Sequence, residues 1–227
     1  MPYISPAATM IGLDLLMIVY TLWVLSLTRS LGGKAVAIAV GMLAWLGVLH
    51  YGLSSHSLFP TDISGVTFLL LIFAGVGAVG ALLLLVRPLR EVLLALDQRQ
   101  LLLLQGIRVF FGAGFLMQAA TGVLPQAFGI LDGFTHIGAG FFGLVAAFSV
   151  AAGVDGARRA WFANLFGLAD ILVVASSLAL VLLPQIGPHH SMMYAVFLPA
   201  PLWLWFHVLS IHKLLQTQSR PVQVAHA

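Results

Sequence analysis

The sequence predicts an all-α membrane protein, a polytopic bundle of seven transmembrane helices that forms a single domain over residues 1–227. Of the 227 residues, 61% are hydrophobic and only 7% are charged, whereas a soluble domain carries about 25% charged residues. Seven apolar stretches are each long enough to cross the roughly 30 Å of hydrocarbon in a bilayer. They leave too few residues for a separate soluble domain, so we expect the lipid bilayer to surround the protein.

Short polar connections separate the apolar stretches. We place predicted spans 1 to 7 at residues 8–28, 35–55, 66–86, 101–124, 128–152, 161–184 and 194–214. Between spans 3 and 4, residues 87–100 set leucines at helical spacing beside charged residues, which predicts an amphipathic cytoplasmic segment. Span 3 has a small-residue face that lets another helix approach, including one from a second copy or a membrane complex partner; it consists of Ala74, Gly75, Gly77, Ala78, Gly80 and Ala81.

The connections carry their positive charge on one side. If they alternate between the two faces, one face holds Arg29, Lys34, Arg87, Arg90, Arg99, Arg158, Arg159, Lys213 and Arg220. The loops of the opposite face, which contain His56, Asp62, Gln126 and His189, have no lysine or arginine. The positive-inside rule therefore predicts an external N-terminus and a cytoplasmic C-terminus, which requires an odd number of spans.

Several functional classes are excluded by composition. The absence of cysteine excludes iron–sulfur clusters and covalently attached haem. A retinal Schiff base is excluded because Lys34 lies in a loop and Lys213 at the end of span 7, so no lysine lies in mid-membrane. The net charge of +3 belongs to the loops and indicates topology, so we expect no nucleic-acid partner.

An inner polar layer is predicted from depth along the helices. Counted from the cytoplasmic boundaries, Arg108, Asp170 and His207 all lie roughly 9 to 13 Å deep. An ionisable group at that depth is costly unless it is paired or hydrated. We therefore predict an Arg108–Asp170 ion pair, bordered by Gln105, Asn164, His207 and Ser210. A structural salt bridge and a functional site remain equally open here.

An outer polar layer is predicted near the opposite face, from Asp14, His50, Asp132 and His136. Asp132 and His136 are spaced i, i+4 and point the same way. Carboxylate and imidazole together suit a divalent metal or proton transfer, although these groups would also be satisfied by water at the headgroups. His50 and His136 could alternatively ligate haem b. A separate loop offers soft ligands for copper in His189, His190, Met192 and Met193.

Short motifs in residues 105–215 resemble a family of uncharacterised bacterial integral membrane proteins. They are Gln105-x-x-Arg108, Gly122-x-Leu124-Pro125 with Phe128, Trp161-x-x-Asn164-x-x-Gly167-Leu168 with Asp170, Leu198-Pro199, and His207-x-x-Ser210 with Leu214. The resemblance implies a location in the bacterial inner membrane and supplies no activity. Where members of that family have an aspartate in span 5, this sequence has His136, with Asp132 one turn earlier.

Three functions are compatible with this sequence. Titratable groups near both faces favour a transporter or relay for a small solute, an ion or a proton. The first alternative is an intramembrane metal-dependent enzyme that acts on a lipid or isoprenoid. The second alternative is a haem-binding or structural subunit of a membrane complex.

Overall fold

The computed structural model describes residues 5–28 and 33–218, and within these ranges the chain is helical with no strand. Arg29 and Arg220, which contribute to the predicted topology, lie outside the described residues. In the described part, six helical stretches are long and apolar enough to cross a membrane: Pro6–Ser26, Gly33–Ser54, Gly65–Leu85, Gln98–Ala120, Gln126–Ala152 and Gly156–Ile186.

The first three helices are continuous and lie at the periphery. They are α1 (Pro6–Ser26), α2 (Gly33–Ser54) and α3 (Gly65–Leu85). Ser5 and Ser64 cap α1 and α3, since each hydroxyl accepts a hydrogen bond from the backbone three residues later at 3.1 Å. Apolar side chains such as Leu85, which is 78% exposed, cover their outer faces. Such an apolar exterior indicates a lipid environment.

A short helix, α4 (Arg87–Ala95), follows α3 directly. Pro88 suits its first turn, where no intrahelical N–H bond is lost. Glu91 accepts hydrogen bonds from Lys34 of α2 and from Arg87, each at 2.9 Å, and these bonds lower the pKa of Glu91. Within the predicted amphipathic segment 87–100, α4 ends at Ala95 and residues 98–100 belong to the next helix.

The fourth apolar stretch is interrupted. A capping box at Asp97 starts α5 (Gln98–Leu103), and α6 (Arg108–Ala120) begins only after residues 104–107. In that gap the backbone makes i, i+3 bonds, including Arg108 N–H to the Gln105 carbonyl at 3.1 Å. Arg108 is consequently the first residue of a new helix at the centre of the bundle.

Two long helices form the interior with α6: α7 (Gln126–Ala152) and α8 (Gly156–Ser177). The backbones of α6 and α7 approach closely through glycine, since a Cβ at Gly140 would lie 2.8 Å from the Val109 nitrogen. A π-helical turn, Leu178–Leu182, joins α8 to α9 (Leu183–Ile186). This packing brings Asp132 and His136 of α7 to face α6 and α8.

The predicted seventh span consists of α10 (Met193–Phe197) and α11 (Pro199–Gln218), separated at Leu198. The Trp45 indole donates to the Phe197 carbonyl at 2.7 Å, which satisfies a backbone group at the break. Trp205 of α11 fits over Gly80 of α3 and donates to the Val76 carbonyl at 2.9 Å. Part of the small-residue face of α3 is therefore covered by α11 of the same chain.

Candidate functional site

Arg108 and Asp170 pair in the middle of the bundle. The guanidinium Nη2 donates to Oδ2 of Asp170, and both side chains are fully buried. Arg108 also lies over the Trp203 ring, with its central carbon 5.1 Å from the ring centroid. The Trp203 carbonyl accepts a hydrogen bond from Gln105 at 3.2 Å. The predicted ion pair is thus present, with α5, α6, α8 and α11 around it.

Hydrogen bonds continue from Arg108 toward the end of the bundle that we predict to be cytoplasmic. Nη1 of Arg108 lies 3.3 Å from Nε2 of His207, whose Nδ1 lies 2.9 Å from Oδ1 of Asn164. The Asn164 amide donates to the Ser210 hydroxyl at 2.6 Å, as does the amide of Gln98. With Oδ1 as the acceptor, His207 carries its proton on Nδ1, so Nε2 accepts from Arg108.

Gly167 makes this arrangement sterically feasible. A Cβ at this position would overlap the His207 imidazole and lie 3.3 Å from Nη1 of Arg108. The glycine in the Trp161-x-x-Asn164-x-x-Gly167 motif therefore keeps space for the ring that links α11 to Arg108.

Asp132 and His136 adjoin the ion pair, although the sequence placed them in a separate outer layer. Nδ1 of His136 lies 2.8 Å from Oδ1 of Asp132 and 3.5 Å from Oδ2 of Asp170. The depth of Asp170 predicted from the sequence was too small, because α8 begins at Gly156 and not at residue 161. Five more residues place Asp170 roughly 7.5 Å deeper along its helix. The two layers therefore meet at His136.

The other two members of the predicted outer layer, Asp14 and His50, make no hydrogen bond or ion pair with this group among the described residues; His50 contacts Tyr194 instead. Nδ1 of His50 and the Tyr194 hydroxyl share a hydrogen bond of 2.8 Å. Asp14 is fully buried, interacts electrostatically with Tyr194, and has no hydrogen-bond partner for either carboxylate oxygen among the described residues. Sequence reasoning missed Tyr194, since a tyrosine near the start of an apolar stretch resembles an ordinary interfacial residue.

The four loop residues considered for copper have other contacts. His190 accepts from the Met192 N–H at 3.1 Å through Nδ1, and its Nε2 donates to the Val123 carbonyl at 3.2 Å. Burial lowers the pKa of His190. Met192 and Met193 are buried in the core, and the His189 ring packs on His56 at 4.8 Å. Copper binding by His190 would first have to break one of its two bonds.

One group within the described residues has the spacing of metal ligands. Donor atoms of Asp132, His136 and Asp170 all lie within 4.8 Å of one another, and the three side chains are buried. The rings of His50 and His136, considered above for haem, have different neighbours, since His136 packs between Phe115 and Trp203 at centroid distances of 5.2 and 5.6 Å.

A small cavity adjoins this group. Its volume is about 40 Å³, and its walls include Asp132, His136 and Trp203 together with apolar side chains of α3 and α8. A single water needs about 10–15 Å³ by this measure, so the cavity accommodates water or a small ion.

Comparison with known proteins gives a family without an assigned function. No curated protein and no solved structure matches the chain. Residues 66–215, about two-thirds of the 227, match the family described as Domain of unknown function (DUF8737). The match includes every residue from Gln98 to Ser210 in the site, whereas Asp14 and His50 precede it. The resemblance to an uncharacterised family is confirmed at this level, and the chain belongs to the DUF8737 family.

Proposed function

We propose that the protein transports or relays a small cation, a proton or a metal ion, across the bacterial inner membrane. In this proposal the chain spans the membrane seven times, with an external N-terminus and a cytoplasmic C-terminus. Pro199–Gln218 supports the seventh span, since its 20 residues extend about 30 Å as a helix. Its polar residues His207 and Ser210 face the interior, where the other helices shield them from lipid.

A connected series of polar side chains is the observation that carries this proposal. In order, the series is Gln98, Ser210, Asn164, His207, Arg108, Asp170, His136 and Asp132, and no link between successive members exceeds 3.5 Å. It begins at the first residue of α5 and ends at Asp132, six residues and roughly 9 Å along α7 from the start of that helix at Gln126. A simple salt bridge between two helices would require only two of these residues.

The charges of this series favour a cation. Arg108 supplies one positive charge, while Asp132 and Asp170 supply two negative charges when ionised. Ionised carboxylates therefore leave one excess negative charge in an apolar interior, where an unpaired charge is costly. A bound cation offsets that charge, whereas an anion would add to it.

The small size of the cavity favours cation transport over an enzyme that acts on a lipid or isoprenoid. About 40 Å³ beside Asp132 and His136 suits water or an ion. A lipid or isoprenoid substrate would need several times that volume, as small-molecule sites of about 300–1,000 Å³ illustrate. The metal-dependent enzyme remains the second candidate because Asp132, His136 and Asp170 have ligand spacing.

Flux through proteoliposomes tests the proposal. We expect wild-type protein to carry protons or divalent cations down an imposed gradient, and Asp170→Asn and His207→Ala to abolish that flux. Asp62→Asn and His212→Ala are matched controls, because both positions are exposed. Ser210→Ala removes one link without removing a charge and is expected to reduce the flux. Equal flux in wild-type and Asp170→Asn vesicles would overturn the proposal.

A further inference from the structure

We propose that Asp132, His136 and Asp170 form a binding site for one divalent first-row transition metal ion. This inference rests on the proposed function, since it names the cation that the polar series takes. Its first support is the 4.8 Å limit on distances between donor atoms. Ligands of a metal bound at about 2.0–2.2 Å lie no more than about 4.4 Å apart, so small side-chain movements would close the site.

Unsatisfied oxygens provide a second, independent support. Oδ2 of Asp132 and Oδ1 of Asp170 are buried and accept no hydrogen bond within the described part of the chain, while Oδ1 of Asp132 has Nδ1 of His136 at 2.8 Å. Nδ1 of His136 also lies 3.2 Å from the backbone carbonyl of Asp132, which competes for its proton. Buried carboxylate oxygens without donors are costly, and direct ligation of a cation satisfies them.

The donor types select the class of metal. One imidazole with two carboxylates suits first-row transition metals, whereas Ca²⁺ takes six to eight oxygen ligands and Mg²⁺ demands an oxygen octahedron. Three protein ligands leave an open position, and the adjoining cavity of about 40 Å³ has room for a water there.

Neighbouring side chains hold the ligands in place. Arg108 binds Oδ2 of Asp170 and leaves Oδ1 available. Edge contacts from Phe115 and Trp203 fix the plane of the His136 ring. Partners of this kind orient metal ligands in characterised sites. Two ionised carboxylates and Arg108 together carry one negative charge. A bound dication changes this net charge to one positive, so the magnitude of the buried charge does not increase.

Metal binding is measured on the full chain, purified in detergent, stripped with a chelator and incubated separately with Zn²⁺ and Mn²⁺. We expect about one bound ion per chain for at least one of these metals and a higher unfolding temperature. We expect Asp132→Asn and His136→Ala to weaken that binding at least tenfold. Asp62→Asn and His212→Ala should retain wild-type binding, because neither residue lies near the site.

Cobalt supplies a readout that does not depend on stability or flux. Co²⁺ bound to a nitrogen and carboxylate set gives visible absorption bands, and His136→Ala should lose or shift them. Less than a tenth of an ion per chain for both Zn²⁺ and Mn²⁺, or unchanged binding by Asp132→Asn and His136→Ala, would overturn the metal site. Proton flux without metal binding refutes the site alone, whereas a bound metal without any cation flux refutes the proposed transport function alone.

Discussion

Replacing Asp170 by asparagine removes the charge that Arg108 faces in the centre of the bundle. Both side chains are fully buried, so the guanidinium is shielded from bulk water. Asp132 is the other carboxylate near Arg108, but His136 lies between it and Asp170. We therefore expect the Asp170→Asn variant to carry an incompletely compensated buried charge.

The expected cost follows from the burial of the pair. Removing one partner of a buried ion pair typically destabilises a protein by about 3–5 kcal/mol. At about 1.4 kcal/mol per tenfold change, the ratio of folded to unfolded protein falls by roughly a hundredfold to several thousandfold. Replacing both partners with apolar residues of similar size is often neutral, so Arg108→Met combined with Asp170→Leu should cost much less than the sum of the single changes.

Reversible unfolding in detergent micelles measures these differences, with Asp62→Asn as the control for an exposed aspartate. We expect the double variant to remain folded and to lose cation flux. A cost below about 1 kcal/mol for Asp170→Asn would refute the buried ion pair. Full additivity of the two single changes would refute their direct coupling.

Three further changes test neighbouring features. Gly167→Ala should displace the His207 ring, lower the free energy of unfolding by about 1–3 kcal/mol and reduce the flux. The control Gly77→Ala has open space around the added methyl group and should fold normally. Thermal unfolding and flux measurements distinguish the two variants. Asp14→Leu should stabilise the protein by about 1–3 kcal/mol in micelle unfolding, because it removes an unpartnered buried carboxylate; a loss of stability would contradict that burial. Burial lowers the pKa of His190 below its ordinary value of 6.5, so acidification below 6.5 favours the unfolded form. Protonation of Nδ1 also removes the acceptor of the Met192 N–H. The protection factor of the Met192 amide, corrected for the intrinsic pH dependence of exchange, should therefore fall at low pH in wild type and not in His190→Gln.

The grouping of the inner part of the site could be predicted from the sequence. Arg108, Asp170 and His207 are buried charged or polar groups in apolar stretches, and each needs a partner, so similar depths indicated that they meet. Ser210 follows from its i, i+3 spacing to His207 on one helix face, and the sequence places Asn164 nearer the predicted cytoplasmic end of the helix that carries Asp170. These residues contact one another in the structure.

Helix ends limited what the sequence could predict. The apolar pattern of span 6 begins after Arg158 and Arg159, but α8 already starts at Gly156 because helical hydrogen bonding does not require apolar residues. The first turn of α5 is also polar, so its start at Gln98 was not predicted. Both errors placed Arg108 and Asp170 too close to the predicted cytoplasmic face, which separated Asp170 from His136.

Two features, the break in the fourth apolar stretch and the contact between His50 and Tyr194, could not be predicted from the sequence. The break at residues 104–107 depends on local i, i+3 bonds and close packing around Gly106. The bond between His50 and Tyr194 depends on how α2 meets α10. Neither feature has a periodic signal, since tertiary packing decides both.

The electrical current carried by reconstituted wild-type protein tests cation conduction most directly. Proteoliposomes are held under a fixed membrane potential with protons, Zn²⁺ or Mn²⁺ as the imposed gradient, and wild type is compared with His207→Ala. We expect a cation current in wild type that falls to the level of protein-free vesicles in His207→Ala, while His212→Ala retains it. No current above that level in wild type, or an equal current in His207→Ala, would contradict cation conduction through the polar series.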